Sequence, residues 1–198
     1  NLVTYDSTHE EWTVKLDAVI SDAHRATLNV SHSEDLLPQR YNNWSRTVFS
    51  NNWYYKDPEI DRASITLYSD WSDKLSTKLK YTSYEMLEDD SSYGDDLFPE
   101  MNITITDSVT GDRDNVFLGG DRYRGANLIN VESEFLTFKA DYNNDDHVYT
   151  FGFERDDSDV VNLFIARYNA EVRFSSFEDY KNGVWSRLRI HEPYAGHE

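Results

Sequence analysis

The stretch NNDDHVYTFGFERDD, residues 143–157, decides how the chain is read. Four short polar residues, Asn143–Asp146, suit a tight turn, because Asn and Asp side chains can bond their own backbone there. The residues after it alternate. His147, Tyr149, Phe151 and Phe153 are large and mostly aromatic, while Val148, Thr150, Gly152 and Glu154 between them are small or polar. Period-2 alternation of this kind reads as a strand with one apolar face. Before the turn, Leu136, Phe138, Ala140 and Tyr142 alternate with Thr137, Lys139 and Asp141, so the two segments form a hairpin.

The same layout occurs twice more. Trp12, Val14, Leu16, Ala18 and Ile20 share a face, and after the turn Ser21–His24 so do Ala26, Leu28 and Val30. Ala63, Ile65 and Leu67 precede the turn Trp71–Lys74, and Leu75, Leu79 and Tyr81 follow it. The strand charges Lys15, Asp17, Arg25, Arg62, Lys78, Lys80, Lys139 and Asp141 all fall opposite the apolar residues. Hairpins are therefore expected near 12–33, 60–85 and 132–155. Long connections are expected near 34–59, 86–130 and 156–198. Within the second, Asn102–Thr106 and Asn115–Leu118 flank DSVTGDRD and predict a further hairpin extending the same sheet. Beyond Arg155, strands are expected at Val160–Ile165 and near Ala170–Phe174, with a helical turn from Ser176 to Gly183.

Composition narrows the function classes. Of 198 residues, 37 are Asp or Glu against 19 Lys or Arg, a formal charge of −18, which argues against nucleic acid as a partner, because phosphate binding rests on clustered Lys and Arg. Aromatics make up 15%, too many for a disordered chain. No cysteine is present, so disulfides and thiolate metal sites are excluded. No apolar run reaches the length of a transmembrane helix, but a transmembrane strand needs only about 9–11 residues, alternately apolar.

Alternating short turns and long connections suit a transmembrane barrel, with short turns on one side and long loops on the other. Trp12, Trp71, Tyr81 and Tyr142 are placed as interfacial girdle residues. The pattern predicts an all-β fold: an up-and-down antiparallel barrel segment, present as a curved open sheet of roughly 6–10 strands. Leu16, Leu28, Ile65, Leu79, Phe138 and Phe151 are expected to face lipid. The alternative is a soluble, secreted β-sandwich binding carbohydrate or Ca²⁺ through aromatic and acidic loops, with those six side chains buried between two sheets.

Several longer stretches carry a family resemblance. YSDWSDKLSTKLKYTSYE (68–85), GGDRYRGANLI (119–129), DHVYTFGFERDDSDVVNLFI (146–165) and VRFSSFEDYKNG (172–183), in this order and spacing, resemble the barrel of TonB-dependent outer-membrane receptors, particularly the Oar-like group. The resemblance implies the bacterial outer membrane, a large barrel closed by a plug domain, and uptake of a substrate energised through TonB. Neither a plug domain nor a TonB box is found, and HEPYAGHE is not an aromatic-terminated strand. The chain is therefore expected to be an internal piece of the barrel wall, one partial domain over 1–198, contacting lipid, an imported substrate and, through parts it lacks, the TonB system.

No catalytic set, cofactor site or metal site is expected. The histidines His9, His24, His32, His147, His191 and His197 have no ligand spacing, and the acidic runs Glu88–Asp96, Asp112–Asp114 and Asp156–Asp159 lack that of an EF-hand. The best substrate-contacting segment is YNNWSRTVFSNNWYYKD (41–57), where Trp44, Trp53, Tyr54 and Tyr55 offer rigid aromatic surface. Packing within the outer layer is the stronger reading of the same residues.

Overall fold

A computed structural model describes residues 6–40, 42, 45–92 and 98–192. Six long strands dominate it: β1 (Thr8–Ser21), β2 (His24–Gln39), β5 (Glu59–Ser72), β6 (Leu75–Asp89), β10 (Asn127–Asn144) and β11 (His147–Phe164). They lie side by side in chain order, every pair antiparallel. The short strands β4 (Tyr54–Lys56) and β7 (Ser91–Ser92) complete this eight-stranded sheet. It is not closed. β1 and β11 are its free edges, and every residue of both is exposed.

The three expected turns are present, each two residues long between paired strands: Asp22-Ala23, Asp73-Lys74 and Asp145-Asp146. Asp145 adopts φ 46°, a left-handed conformation that Asp tolerates. The turns sit together at one end of the sheet. Lys74 Nζ donates to Asp145 Oδ2 at 2.9 Å, and the Asn143 N–H to the Lys74 carbonyl at 2.7 Å.

The other ends of the strands reach further than the pattern predicted. β11 continues through Asp156–Asp159 to Phe164, so the separate strand expected at Val160–Ile165 and a loop beginning at 156 are both corrected. Local polarity suggested a break, but the ladder to β10 persists, pairing Asp157 with Glu134 and Asp159 with Glu132, and Ser133 and Ser158 hydroxyls hydrogen bond at 2.8 Å.

The long connections form a second, five-stranded sheet from β3 (Arg46–Val48), β8 (Glu100–Thr106), β9 (Arg113–Leu118), β12 (Glu171–Phe174) and β13 (Arg187–Arg189). The hairpin expected across 102–118 is β8–β9, but it belongs to this sheet instead of extending the first. β3 with β9 and β12 with β8 pair parallel, a departure from a purely antiparallel plan that joins segments far apart in sequence. Helix α1 (Phe177–Lys181) starts where expected, with Ser176 Oγ accepting from the Asp179 N–H at 3.0 Å. The buried apolar side chains Val48, Tyr54, Ile103, Phe117 and Phe174 all belong to the short strands, none to a long strand.

The apolar face of the long strands is left uncovered. Leu16, Leu28, Ile65, Leu79 and Phe151 are exposed and Phe138 is half-buried, so the six are not sandwiched between sheets. Register turns the six strands into rows. Ala18, Ala26, Leu67, Leu79, Phe138 and Phe153 lie in one continuous line across the sheet. The upper limit of the apolar zone, away from the turns, steps across such rows. It lies at Trp12 on β1, Val30 on β2, Ala63 on β5, Tyr81 on β6, Leu136 on β10 and Phe153 on β11. Over five strand steps it drops three rows, or six residues. That is about 20 Å along the strands for about 24 Å across them, a slope of about 40°.

Candidate functional site

Beyond that limit the same face turns acidic. Glu34, Glu59, Asp61, Glu85, Glu132 and Glu134 follow the apolar residues on successive central strands. The aromatics at the limit bridge the two zones. Tyr81 donates its hydroxyl to Glu134 at 2.8 Å, and Trp12 stacks on His32 at 5.8 Å. Tyr81 stands mid-strand rather than near a strand end, because β6 runs on past the apolar zone to Asp89. Near the turns Tyr142 stacks on Tyr149, and Trp71 packs edge-on to His24.

The opposite face is polar and internally linked. Asp17 accepts from Thr27 at 2.6 Å and pairs with Lys15 at 3.0 Å, and Asp141 accepts from Thr150 and Lys139. Tyr68 is flanked by the Arg25 guanidinium at 4.9 Å and the Lys78 ammonium at 5.7 Å, and Ser64 and Thr66 on the same face of β5 are buried. Toward the turns this face opens into a cleft of about 570 Å³ whose lining includes Asp22, Asp70, Asp73, Lys74, Asp141 and Asn143.

The aromatic segment is mainly an anchor for the outer layer. Tyr54, 1% exposed, lies under the Arg124 guanidinium, 3.8 Å from its ring centroid, which corrects its assignment as a substrate contact. Arg124, distant in sequence, gave no local sign of this pairing. Trp53 donates Nε1–H to the Val48 carbonyl at 3.2 Å and is half-buried. Tyr55 is half-buried in the β4 ladder, opposite Pro38 and Ser91. Trp44 lies outside the described residues.

Two buried ionic clusters hold the outer layer together. Glu171 is fully buried with Arg167 at 2.6 Å, Arg173 at 2.5 Å, Arg122 at 3.4 Å and Arg189 at 3.9 Å. Burial opposes its ionisation, but hydrogen bonds from Arg167 and Arg173 outweigh that and hold the carboxyl below the usual range. Glu100, nearly as buried, meets Arg122 at 3.4 Å and accepts from Asn52 at 3.3 Å, and burial pushes its carboxyl up. Where β6 ends, Asp90 joins the neck of the 90–126 insertion. It bonds Arg124 at 2.6 Å and Asn127 at 2.8 Å, and burial lifts its carboxyl to about 6 despite the Arg124 charge.

One cluster escaped the sequence reading. His32 on β2 and Glu59 and Asp61 on β5 bring their ligand atoms within 4.8 Å of one another. No spacing along the chain signals this. The hairpin register does, since it sets His32 directly opposite Asp61. Compared with known proteins, the chain matches no family model, no curated protein and no solved structure.

Proposed function

We propose that the chain forms part of the wall of an outer-membrane β-barrel of the TonB-dependent receptor type. Its short turns face the periplasm, its second sheet lies outside the cell, and its polar face lines a lumen through which a substrate is taken up. The observation that carries this reading is the sloping limit of the exposed apolar zone. In a closed barrel the strands tilt by about 35–45°, so a level bilayer must cut obliquely across the register rows. The slope of about 40° is what that tilt requires. A soluble sheet has no level plane to respect, and its apolar patch would follow the packing of a covering layer.

The height of the zone supports the same reading. On β1 it runs from Trp12 to Ile20, nine residues, within the about 9–11 that a tilted transmembrane strand needs. The exposed area also exceeds what soluble monomers leave uncovered, since it spans six strands without an overlying layer. The resemblance to TonB-dependent receptors supplies the type of barrel. The role is uptake and binding without catalysis.

Detergent dependence tests this directly. The purified chain is expected to keep its β signal in circular dichroism in micelles and to associate when detergent is withdrawn. A stable monomer in plain buffer, by light scattering, overturns the reading.

A further inference from the structure

The cluster at the acidic end of the outward face has the makings of a metal site. Its nitrogen ligand is held in place. The His32 ring is stacked on Trp12 with 23° between planes, its side chain is 20% exposed, and Nδ1 sits 3.0 Å from Asp61 Oδ1. Its oxygen ligands are adaptable: Glu59 and Asp61 are exposed side chains two residues apart on one face of β5. Ligand atoms now within 4.8 Å need to close to about 3.4 Å around a tetrahedral Zn²⁺ with bonds of about 2.0–2.1 Å. Glu34 lies directly opposite Glu59 and two residues beyond His32 on the same face, the side from which a fourth ligand would come.

The surroundings lack positive charge. Glu10, Glu34 and Glu59 lie directly opposite one another across three strands, and Asp61 lies opposite Glu85. Like charges in such positions destabilise a sheet. Among the described residues no Lys or Arg pairs with any of these five, and the His32 ring nitrogens hydrogen bond only to Asp61. A divalent cation supplies the charge the strands do not. An all-oxygen set would suit Ca²⁺ or Mg²⁺, but an imidazole nitrogen shifts the preference to Zn²⁺ or a similar transition metal.

We propose that His32, Glu59 and Asp61, with Glu34, form a Zn²⁺-type binding site that bridges β2 and β5. The site depends on strand register and stands whether the face meets lipid or water.

Titration calorimetry of the full chain with Zn²⁺ tests it. One equivalent is expected to bind, with affinity reduced about tenfold or more in His32→Asn and in Glu59→Gln, and unchanged in His9→Asn. Circular dichroism of each variant shows whether the sheet is kept, and the conservative Glu59→Gln serves if His32→Asn fails to fold. The proposal is overturned if no stoichiometric binding is seen, if both folded variants bind as the parent does, or if Ca²⁺ binds as tightly as Zn²⁺.

Discussion

Leu79→Arg separates a lipid-facing wall from a water-facing sheet with a single side chain. Leu79 sits in the row formed by Ala18, Ala26, Leu67, Phe138 and Phe153, with apolar neighbours Leu67 and Phe138 on either side and Tyr81 next above it on the same face. That places it one row inside the limit of the apolar zone at Tyr81. Arg on the lipid face costs about 2–4 kcal/mol at the midplane and about 0–1 kcal/mol at the interface, so at this intermediate height about 1–3 kcal/mol is expected, a factor of about 5 to 150 in partitioning. The same change on a hydrated surface lies within about ±0.5 kcal/mol, and Leu79 is already 41% exposed. Thr82→Arg is the control, since Thr82 alternates to the polar face and pairs with Ser64 and Phe135. The assay is partitioning of the chain into phospholipid vesicles, read by flotation. Leu79→Arg is expected to fall by that factor while Thr82→Arg stays close to the parent. Equal partitioning of Leu79→Arg and the parent would refute the orientation of the sheet.

Other outcomes follow from the outer layer. Glu171→Gln leaves Arg167 and Arg173 without their buried counter-charge and is expected to destabilise the second sheet by about 3–5 kcal/mol, seen as faster proteolysis between β8 and β13. Gly119→Ala is expected to cost about 1–3 kcal/mol in denaturant unfolding, because Gly119 has φ 81° and an added Cβ would stand 2.1 Å from the Pro99 carbonyl oxygen. Asp90 gives a pH signature. Its folded carboxyl, at about 6, lies above the unfolded value of 3.8, so the folded state holds the proton more tightly. Its contribution is therefore most favourable below the unfolded value and is lost as pH rises through about 4 to 6, amounting to about 3 kcal/mol. In Asp90→Asn that part of the pH–stability curve is expected to flatten in urea titrations.

The three hairpins were legible because alternation and turn chemistry are local. The faces followed too, since the charges of Lys15, Arg62, Lys78 and Lys139 all alternate against the apolar residues. The end of β11 was not legible. Asp156–Asp159 reads as a break, and only the partner strand keeps it extended. The second sheet was partly hidden for a related reason: β3 with β9 and β12 with β8 join segments whose pairing leaves no periodic trace. The aromatic segment was judged by residue type, which cannot distinguish an exposed Tyr from one beneath a distant Arg, as Tyr54 is. The cluster at His32 needed the register of β2 against β5, a quantity fixed by turn length and bulge position instead of by spacing.

In the proposed barrel, the sloping limit also constrains whatever strands join the two free edges. Six residues lost over five steps is a slip of a little more than one residue for each strand added. A strand laid against the open edge of β11 must start its apolar stretch about one residue nearer the turns, and one laid against β1 about one residue further away. Carried round the ring of about 22 strands that the resemblance to TonB-dependent receptors implies, the slips would add to roughly 26 residues, so the hydrogen-bond rows would return to their origin as a helix rather than as hoops. On the barrel reading the gradient in these six strands acts as a thread pitch, and a neighbour whose apolar stretch ignores it would not be cut from the same cylinder.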